Sequence, residues 1–397
     1  WVHIDQDTMQ PSRVPEDVVA TLTESSGGRS IGARLLLKHK DFNDAAATDS
    51  LWPLRFSDYD AVGHMNNAAY WEIVEEHLAM HRELRAPMRA VVEHVIQVDP
   101  GQHPTRRSVM LPGVNESWCP AGPGNTGSAQ DLALQAGGQL GTGGLTHAFW
   151  APVSIRQRAD GTTAAFPHFV MDRGKPGMIT VNSQGERYVN ESTSYHLFGI
   201  AMQEHNQKTP SIPTWLICDA GALKRYGLGM IRPGGKGLPP FLADGYLKQG
   251  ATLLELAQQL KVPGETLKAT VKRFNQFADK GVDDDFQRGT TDYQRANGDA
   301  TWTGLNPCLG ALRQGPFYAI ALYPGDIGAA TGLVTDCDAR VMHTNGHAID
   351  GLYACGNDMH SIMGGVYPAP GITIGPGVTF GYLAAKHAMA RARLKVN

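Results

Sequence analysis

The stretch YPAPGITIGPGVTFGYLAAKHAM, residues 367–389, is the part of the chain that most strongly determines its fold. Tyr367 precedes a turn rich in Pro and Gly, and the turn leads into an apolar helix that begins near Gly375. A helix start carries backbone N–H groups without partners inside the helix, and the helix dipole favours negative charge there. A tyrosine hydroxyl beside this turn therefore suits chemistry that builds negative charge on a carbonyl oxygen.

The composition of the chain excludes several classes of protein. Its 397 residues are enough for two or three domains. Charged residues make up 18% and there are 46 glycines, which is typical of a compact enzyme with many tight turns. The formal net charge of −3 gives no basic footprint, so we expect no nucleic-acid partner.

Cysteine usage and hydropathy indicate a cytoplasmic protein. The five cysteines lie far apart and form no CxxC pair, so we expect them to be reduced and structural. No run of 18 apolar residues occurs, and the N-terminus has no signal-peptide pattern, so we expect no membrane span. These cysteines are Cys119, Cys218, Cys308, Cys337 and Cys355.

Residues 351–388, GLYACGNDMHSIMGGVYPAPGITIGPGVTFGYLAAKHA, carry a specific resemblance. The segment resembles the C-terminal flavin-binding part of the 3-ketosteroid Δ1-dehydrogenases and their relatives in the fumarate-reductase flavoprotein superfamily. The likeness extends over most of residues 110–397 and does not include residues 1–104. It implies an FAD-dependent oxidoreductase of steroid metabolism that oxidises a C–C bond next to a carbonyl, with a small apolar ketone or steroid-like substrate.

The resemblance also implies roles for individual residues. Tyr367 matches the tyrosine whose hydroxyl holds the substrate carbonyl, and the backbone N–H of Gly371 matches its partner. Tyr195, in RYVNESTSYH, matches the tyrosine of the capping domain that acts as the base. No metal site is expected. The residues expected to bind the cofactor are Gly356, Asn357, Gly371, Ile372, Ile374 and Gly375.

Flavin dehydrogenation next to a ketone has three chemical requirements. A base takes the α proton, an electrophile holds the developing enolate, and the flavin N5 receives a hydride from the β carbon. Tyrosine has an ordinary pKa of about 10, so a basic Tyr195 requires a neighbouring dipole, charge or proton relay. Fumarate reduction is less favoured, since it needs dicarboxylate-binding Arg and His residues, of which the sequence shows no matching cluster.

Gly122, Gly124 and Gly127 spell the pattern GxGxxG but lack its context. A dinucleotide fingerprint needs a hydrophobic strand directly before it and an acidic residue about 20 positions later. NESWCPA precedes Gly122, and His147 and Ala148 stand where the acidic residue belongs. We therefore interpret this segment as a loop that leads into a helix, and we expect weak FAD retention because the ADP-binding fingerprint is missing.

Residues 51–102 follow a second pattern, in which a strand, a polar turn, one long helix and a strand succeed each other. RFSDYDAVGHMNNAAYWEIVEEHL resembles the acyl-ACP thioesterase and 4-hydroxybenzoyl-CoA thioesterase group, which implies a hotdog fold. Asp60 and His64 match the residues beside the thioester in that group. Val62 and Gln97 depart from the plant-type pattern. An acyl-ACP or acyl-CoA thioesterase is therefore the alternative function.

The middle of the chain predicts a mixed capping domain. LLELAQQL and ETLKATVKRFNQFA, separated by Val262-Pro263-Gly264, predict two packed helices. The three acidic residues 283–285 predict a solvated loop rather than a metal site. Asn345-Gly346 predicts a β-hairpin.

Together these patterns predict an α+β and α/β chain in four parts. They are a partial hotdog domain at 1–104, an FAD-domain segment at 105–157, an inserted α+β capping domain at 158–310 and a C-terminal FAD-domain segment at 311–397. Two incomplete patterns meet near residue 105, which suggests a gene fusion, a frameshift or a break in assembly, and an inactive product is the third hypothesis. A partner chain or a missing N-terminal segment could supply the rest of the FAD site.

Overall fold

A computed structural model of the chain describes residues 3–4, 11–12, 104–121, 127–169, 172–369 and 371–394. Contacts divide the chain into two units, Trp1–Pro53 and Leu54–Asn397. In the first unit, strand β1 (His3–Ile4) pairs antiparallel with β2 (Pro11–Ser12). The hotdog pattern expected at residues 51–102, with Asp60 and His64, lies outside the described residues.

The described part of the second unit alternates helices and strands. Its helices are α1 (Pro104–Met110), α2 (Ser128–Gln135), α3 (Tyr195–Asn206), α4 (Ala220–Tyr226), α5 (Pro239–Ala243), α6 (Leu253–Leu260), α7 (Gly264–Lys280), α8 (Asp292–Ala296) and α9 (Ile374–Leu394). Its strands are β3 (Ala148–Gln157), β4 (Thr163–Pro167), β5 (Met178–Val181), β6 (Thr214–Cys218), β7 (Lys248–Gly250), β8 (Phe317–Ala329), β9 (Arg340–Met342) and β10 (Ala348–Tyr353). Short 3₁₀ turns lie at Glu116–Trp118 and Gly356–Asp358.

One antiparallel sheet organises this unit. Its strands follow the order β4-β3-β8-β6-β5, and β7 also pairs with β8. The 13-residue strand β8 is the central member, because one part of it pairs with β6 and β7 and its far end pairs with β3. The sheet is therefore continuous across the two boundaries expected near residues 157 and 310, and the division into domains stays a prediction.

Alternating side chains of the sheet bury two separate helical layers. On β6, Leu216 and Cys218 face a cluster that includes α3 and α4, whereas Ile217 faces a cluster that includes α6 and α7. This alternation is the period of two that a strand imposes on its side chains. A sheet covered by helices on both faces matches the α+β expectation for the capping region.

Helix α3 approaches the sheet closely enough to exclude a side chain at one position. A Cβ added to Gly199 would lie 2.6 Å from the Cβ of Trp150 on β3. The helix begins where Ser194 Oγ accepts a hydrogen bond from the backbone N–H of Leu197, at 3.3 Å. This cap fixes the first residue of the helix, Tyr195, at the edge of the sheet.

The two helices predicted around Val262-Pro263-Gly264 are confirmed as α6 and α7. Thr252 caps α6 by accepting a hydrogen bond from Glu255 N–H, and Gly281 ends α7 with a positive φ. The hairpin predicted at Asn345-Gly346 is also confirmed, since β9 and β10 pair antiparallel around it. Cys218, Cys308 and Cys337 are free thiols. Within the residues described, no helix is long and apolar enough to cross a membrane.

A buried ion network ties residues 187–191 to residues 283–288. Arg187 binds Glu191 at 2.6 Å and Asp283 at 2.8 Å, and Arg288 binds the same Glu191 carboxylate at 3.1 Å. Burial alone raises the pKa of Glu191, but Arg187 and Arg288 lower it to about 2, so the carboxylate stays ionised. The expectation of a solvated acidic loop is therefore wrong for Asp283, which is 1% exposed and paired with a guanidinium. Asp284 and Asp285 lie at the surface and pair with Lys280 and Arg273.

Glu191→Gln should destabilise the chain by about 3–5 kcal/mol, since it leaves two buried guanidinium groups without their shared carboxylate. The free energy of unfolding from urea denaturation measures this loss. Glu265→Gln is the matched control, because Glu265 is 80% exposed and lies 3.7 Å from Lys268, and exposed pairs contribute little. Equal losses in the two variants would contradict the importance of the buried network.

Candidate functional site

The two tyrosines expected to be catalytic lie against each other in the structure. The ring centroids of Tyr195 and Tyr367 are 5.0 Å apart at an interplanar angle of 61°. Phe169 packs edge-on against Tyr195 at 5.0 Å, and Phe149 packs edge-on against Tyr367 at 5.1 Å. These rings form a buried aromatic cluster with Ala151 and Ala330 at the end of the β3–β8 pair. The cluster brings together the first residue of α3 and the segment that precedes α9.

The environment of Tyr195 strongly favours its neutral form. Burial raises the pKa of its hydroxyl far above the ordinary range, and the neighbouring Tyr367 hydroxyl raises it further. Tyr293 on α8 acts in the same direction, whereas the cation of Arg173 lowers this pKa. Arg173 is therefore the group near Tyr195 that favours its phenolate.

His196 is a second polar group of this cluster. Its Nδ1 accepts a hydrogen bond from the backbone N–H of Trp150 at 3.1 Å. Burial lowers its pKa to about 4, so the ring is neutral near pH 7 and carries its proton on Nε2. This buried Nε2 has no hydrogen-bond partner among the described residues, and the ring centroid lies 6.3 Å from that of Tyr367. The N–H is thus a spare donor beside Tyr367.

Gly371 and the start of α9 follow Tyr367 on an exposed turn. Gly371 has a φ of +93°, which favours glycine, and its carbonyl accepts a hydrogen bond from Gly375 N–H at 2.7 Å. The helix begins at Ile374, close to the predicted start. Ile374 itself is 72% exposed. The expected cofactor-binding residues Gly371, Ile374 and Gly375 therefore lie on the surface of this turn.

A shallow cleft with a cavity volume of about 20 Å³ lies beside the aromatic cluster and opens to solvent. Phe149 lines it together with three residues expected to bind the cofactor, Gly356, Asn357 and Ile372. Helix α9 packs closely on this wall, since a Cβ added to Gly377 would lie 3.6 Å from the Gly356 Cα. The cleft thus lies between the Gly356–Asp358 turn and the start of α9.

Three buried polar atoms near this cleft have no hydrogen-bond partner in the described part of the chain. They are Asn357 Nδ2, Asp358 Oδ1 and His360 Nδ1. An unpaired buried polar group is destabilising by about 1–3 kcal/mol. Burial also raises the pKa of Asp358 to about 7, so its carboxyl is a hydrogen-bond donor at mildly acidic pH. Such a concentration of unmet donors and acceptors is typical of a site for a polar ligand.

Comparison with known proteins defines the class of this fold and site as a flavoprotein. The chain belongs to the FAD-binding domain family, whose model matches residues 76–374. A second family model, the acyl-ACP thioesterase C-terminal domain, matches residues 42–108. The two resemblances expected from the sequence are therefore confirmed.

Individual relatives agree with this family. The chain is 37% identical over 285 residues to a 3-oxosteroid 1-dehydrogenase of Mycolicibacterium smegmatis, covering 70% of this chain and 48% of the relative. It is 40% identical over 272 residues to a 4-oxocyclohexanecarboxylate 2-dehydrogenase of Sinomonas cyclohexanicum, covering 66% and 45%. The chain thus spans about half the length of the curated relatives it matches.

A solved structure shares the fold of the described residues. The 3-ketosteroid Δ1-dehydrogenase of Sterolibacterium denitrificans, in complex with 1,4-androstadiene-3,17-dione, superimposes with a TM-score of 0.68 at 35% identity. The superposition covers 74% of this chain and 52% of that chain.

The residues around the cleft fit FAD, the cofactor of this family. Asn357, which lines the cleft, offers an unpaired Nδ2 to a polar ligand. Gly328 leaves space for the Asn357 amide, since a Cβ there would lie 2.7 Å from Asn357 Nδ2. The exposed first turn of α9 favours negative charge. These features suit a dinucleotide that carries ribityl hydroxyls and phosphates.

Sequence reasoning missed several residues of this site. His196 follows Tyr195 directly and could have been noticed as a titratable neighbour of the expected base. Asp358 and His360 follow Asn357 within the same motif. Arg173 and Tyr293 lie far from Tyr195 in sequence, and no local pattern connects them with it.

Asp358→Asn should remove a pH-dependent loss of stability. The folded carboxyl has a pKa of about 7, whereas an unfolded Asp has a pKa of about 3.9. The unfolded chain therefore binds fewer protons between these values, so this contribution to stability falls as the pH rises from about 4 to 7. Urea denaturation without added FAD should show the variant about 4 kcal/mol more stable than the parent at pH 8 and similar to it at pH 4.

Asp350→Asn is the control for this prediction, because Asp350 is 83% exposed in its pair with Arg391. It should leave the slope of stability against pH unchanged. A parent and an Asp358→Asn variant with parallel profiles would show that Asp358 is ionised in the folded chain.

Proposed function

We propose that this chain carries the catalytic half of an FAD-dependent dehydrogenase that oxidises a C–C bond next to a ketone. The observation that supports this most is the contact between Tyr195 and Tyr367, at 5.0 Å between ring centroids, beside a cleft of unpaired polar atoms. The relatives named as 3-oxosteroid and 4-oxocyclohexanecarboxylate dehydrogenases support a cyclic, largely apolar ketone as substrate.

In this proposal Tyr367 and Gly371 hold the substrate carbonyl. The Tyr367 hydroxyl and the Gly371 backbone N–H donate hydrogen bonds to the oxygen, which gains charge as the α proton leaves. His196 would support this pair, since its Nε2–H is unpaired and its ring centroid lies 6.3 Å from that of Tyr367. A neutral imidazole donates without adding a positive charge that would compete for the proton.

Tyr195 takes the α proton in this proposal. Its position at the first residue of α3 is fixed by the Ser194 cap, and Phe169 and Tyr367 restrict its ring. The aromatic cluster excludes water from the phenol, which strengthens each electrostatic interaction there. The C–H bond breaks, its proton goes to the Tyr195 oxygen, and the electron pair is held as an enolate by Tyr367 and Gly371.

The bound flavin would supply the acceptor for the hydride from the β carbon. Gly356, Asn357 and Ile372 would hold it along the cleft, and the turn of Gly371, Ile374 and Gly375 would approach it from the helix start. A ligand with hydroxyl groups would pair the unmet Nδ2 of Asn357.

FAD binding by the purified chain tests the proposal directly. Titration with FAD should quench flavin fluorescence, and the complex should be yellow with absorbance near 450 nm. It should then reduce a dye when a 3-oxosteroid or a 4-oxocyclohexane carboxylate is added. A chain that binds no FAD, with or without a separately added N-terminal half of a relative, would rule out this function for the chain.

Tyr367→Phe should retain bound FAD and lose about 10²–10³ in turnover, because one of two donors to the developing oxyanion is removed. Steady-state turnover and flavin absorbance of the same sample separate the two effects. Tyr226→Phe is the control, since the Tyr226 hydroxyl binds Asp299 at 2.6 Å outside the aromatic cluster. Unchanged turnover in Tyr367→Phe would remove Tyr367 from the proposed mechanism.

A thioesterase is the second candidate function, because the thioesterase family model matches residues 42–108. Asp60 and His64 are the proposed catalytic residues. Hydrolysis of an acyl-CoA by the purified chain, abolished in His64→Ala, would support it. A colourless chain that neither binds FAD nor cleaves thioesters supports the third hypothesis, an inactive fused product.

A further inference from the structure

Arg173 is a fully buried guanidinium whose described hydrogen bonds all go to backbone carbonyls. Its Nε donates to His168 O at 3.1 Å, its Nη1 to Glu191 O and its Nη2 to Thr193 O at 2.8 Å. Thr193 lies two residues before Tyr195. Carbonyl oxygens satisfy the donors of a guanidinium, but they do not neutralise its charge. A buried positive charge therefore lies directly behind the loop that leads to the phenol.

The adjacent carboxylate of Asp172 is engaged elsewhere. Its Oδ2 binds His168 Nδ1 at 2.7 Å and accepts the backbone N–H of Gly229 at 3.0 Å. Its Oδ1 accepts the backbone N–H of Arg173, at 2.7 Å, rather than the guanidinium. His168 Nε2 in turn lies 2.7 Å from the Ser154 hydroxyl. The Asp172 carboxylate is thus hydrogen-bonded to His168 and to backbone N–H groups, and acts on the Arg173 guanidinium through its charge alone.

Phe169 connects this arrangement to the site. It follows His168, and its ring packs against Tyr195 with centroids 5.0 Å apart. Arg173 therefore contacts the segments on both sides of the phenol, the one that carries Phe169 and the one that leads from Glu191 to Tyr195. Both the charge of Arg173 and its hydrogen bonds therefore act on Tyr195.

We propose that Arg173 is the positioning residue that makes Tyr195 a usable base, by placing a buried positive charge that is hydrogen-bonded to backbone carbonyls, and to no carboxylate, where it stabilises the Tyr195 phenolate. The proposal rests on the proposed function for the role of Tyr195 in catalysis. The electrostatic effect itself requires neither flavin nor substrate. The Ser154–His168–Asp172 chain keeps the Asp172 carboxylate from hydrogen-bonding the guanidinium, so that Asp172 offsets the Arg173 charge only in part.

Other charged and titratable groups face this pair, and their effects have known signs. Around Arg173 they are Asp172, Glu191, Arg288 and Tyr293. Around Tyr195 they are Tyr367, Tyr293 and Arg173, with His196 beside it on α3. Burial lowers the pKa of Arg173 to about 10, so the guanidinium is charged at physiological pH. Of the groups that act on Tyr195, Arg173 lowers its pKa and the two phenols raise it.

A probe at position 195 tests the proposal in the full chain without added FAD. Trifluorotyrosine incorporated there by codon suppression titrates at a lower pH than tyrosine, and ¹⁹F NMR follows its ionisation. Arg173→Met should raise the midpoint by about one pH unit or more, because an opposite charge nearby favours the ionised phenol. Arg173→Lys keeps the charge and loses the fork of hydrogen bonds, so its midpoint should stay close to that of the parent.

Asp172→Asn should shift the midpoint of the probe at position 195 in the direction opposite to Arg173→Met. Removal of this carboxylate leaves the positive charge of Arg173 more exposed to the phenol, so the midpoint should fall. A purely structural role predicts otherwise, since loss of the His168–Asp172 pair would loosen the site and move every variant in one direction. Arg313→Met, at an exposed pair with Asp279, is the control and should not shift the midpoint.

Each outcome decides the proposal. The proposal is supported if the midpoint is lowest in Asp172→Asn, intermediate in the parent and highest in Arg173→Met. Equal shifts in Arg173→Met and Arg173→Lys, or an upward shift in Asp172→Asn, overturn it. If Arg173→Met does not fold, the signs for Arg173→Lys and Asp172→Asn still decide. Failure of the FAD and turnover tests, with these shifts present, would reject the proposed function alone.

Discussion

The pairing of β3 with β8 is the constraint on which the rest of the site depends. It aligns Ala148 with Ala329 and Phe149 with Gly328, so the end of the sheet presents Phe149 to the segment that carries Tyr367. Helix α3 then packs on β3 at Gly199 and brings Tyr195 to the same edge. The antiparallel ladder satisfies the backbone groups of both strands, which allows this apolar edge to be buried. Without the pairing, the two tyrosines would have no common support.

The unpaired atoms of Asn357, Asp358 and His360 lower the stability of the fold locally, near the cleft. Native proteins rarely leave several such atoms together. The β3–β8 edge and the close approach of Gly377 to Gly356 keep this wall in place although its polar groups lack partners.

Sequence patterns predicted those parts of the fold that follow from local periodicity or turn chemistry. The apolar spacing of LLELAQQL and of ETLKATVKRFNQFA fixed α6 and α7, and Asn345-Gly346 fixed a hairpin. The proximity of Tyr195 and Tyr367 followed from the family resemblance. The burial of Asp283 could not be predicted, because three consecutive acidic residues have the same local pattern whether or not an arginine pairs with one of them. The role of Arg173 could not be predicted either, because its main partners are backbone carbonyls, which every residue has.

The buried arginines fall into two sets that differ in how their charge is compensated. We infer that one set stabilises the fold and that the other acts on Tyr195. Arg187 and Arg288 share Glu191, with Asp283 as a further partner, so their charges are balanced by carboxylates and chiefly hold the capping region together. Arg173 faces carbonyls, while Asp172 is bound to His168 and to backbone N–H groups. A buried charge without a directly bound counter-ion is destabilising, and the fold retains it beside Tyr195. Burial disfavours the Arg173 cation, and that cation in turn lowers the pKa of the Tyr195 phenol, whose own burial opposes ionisation.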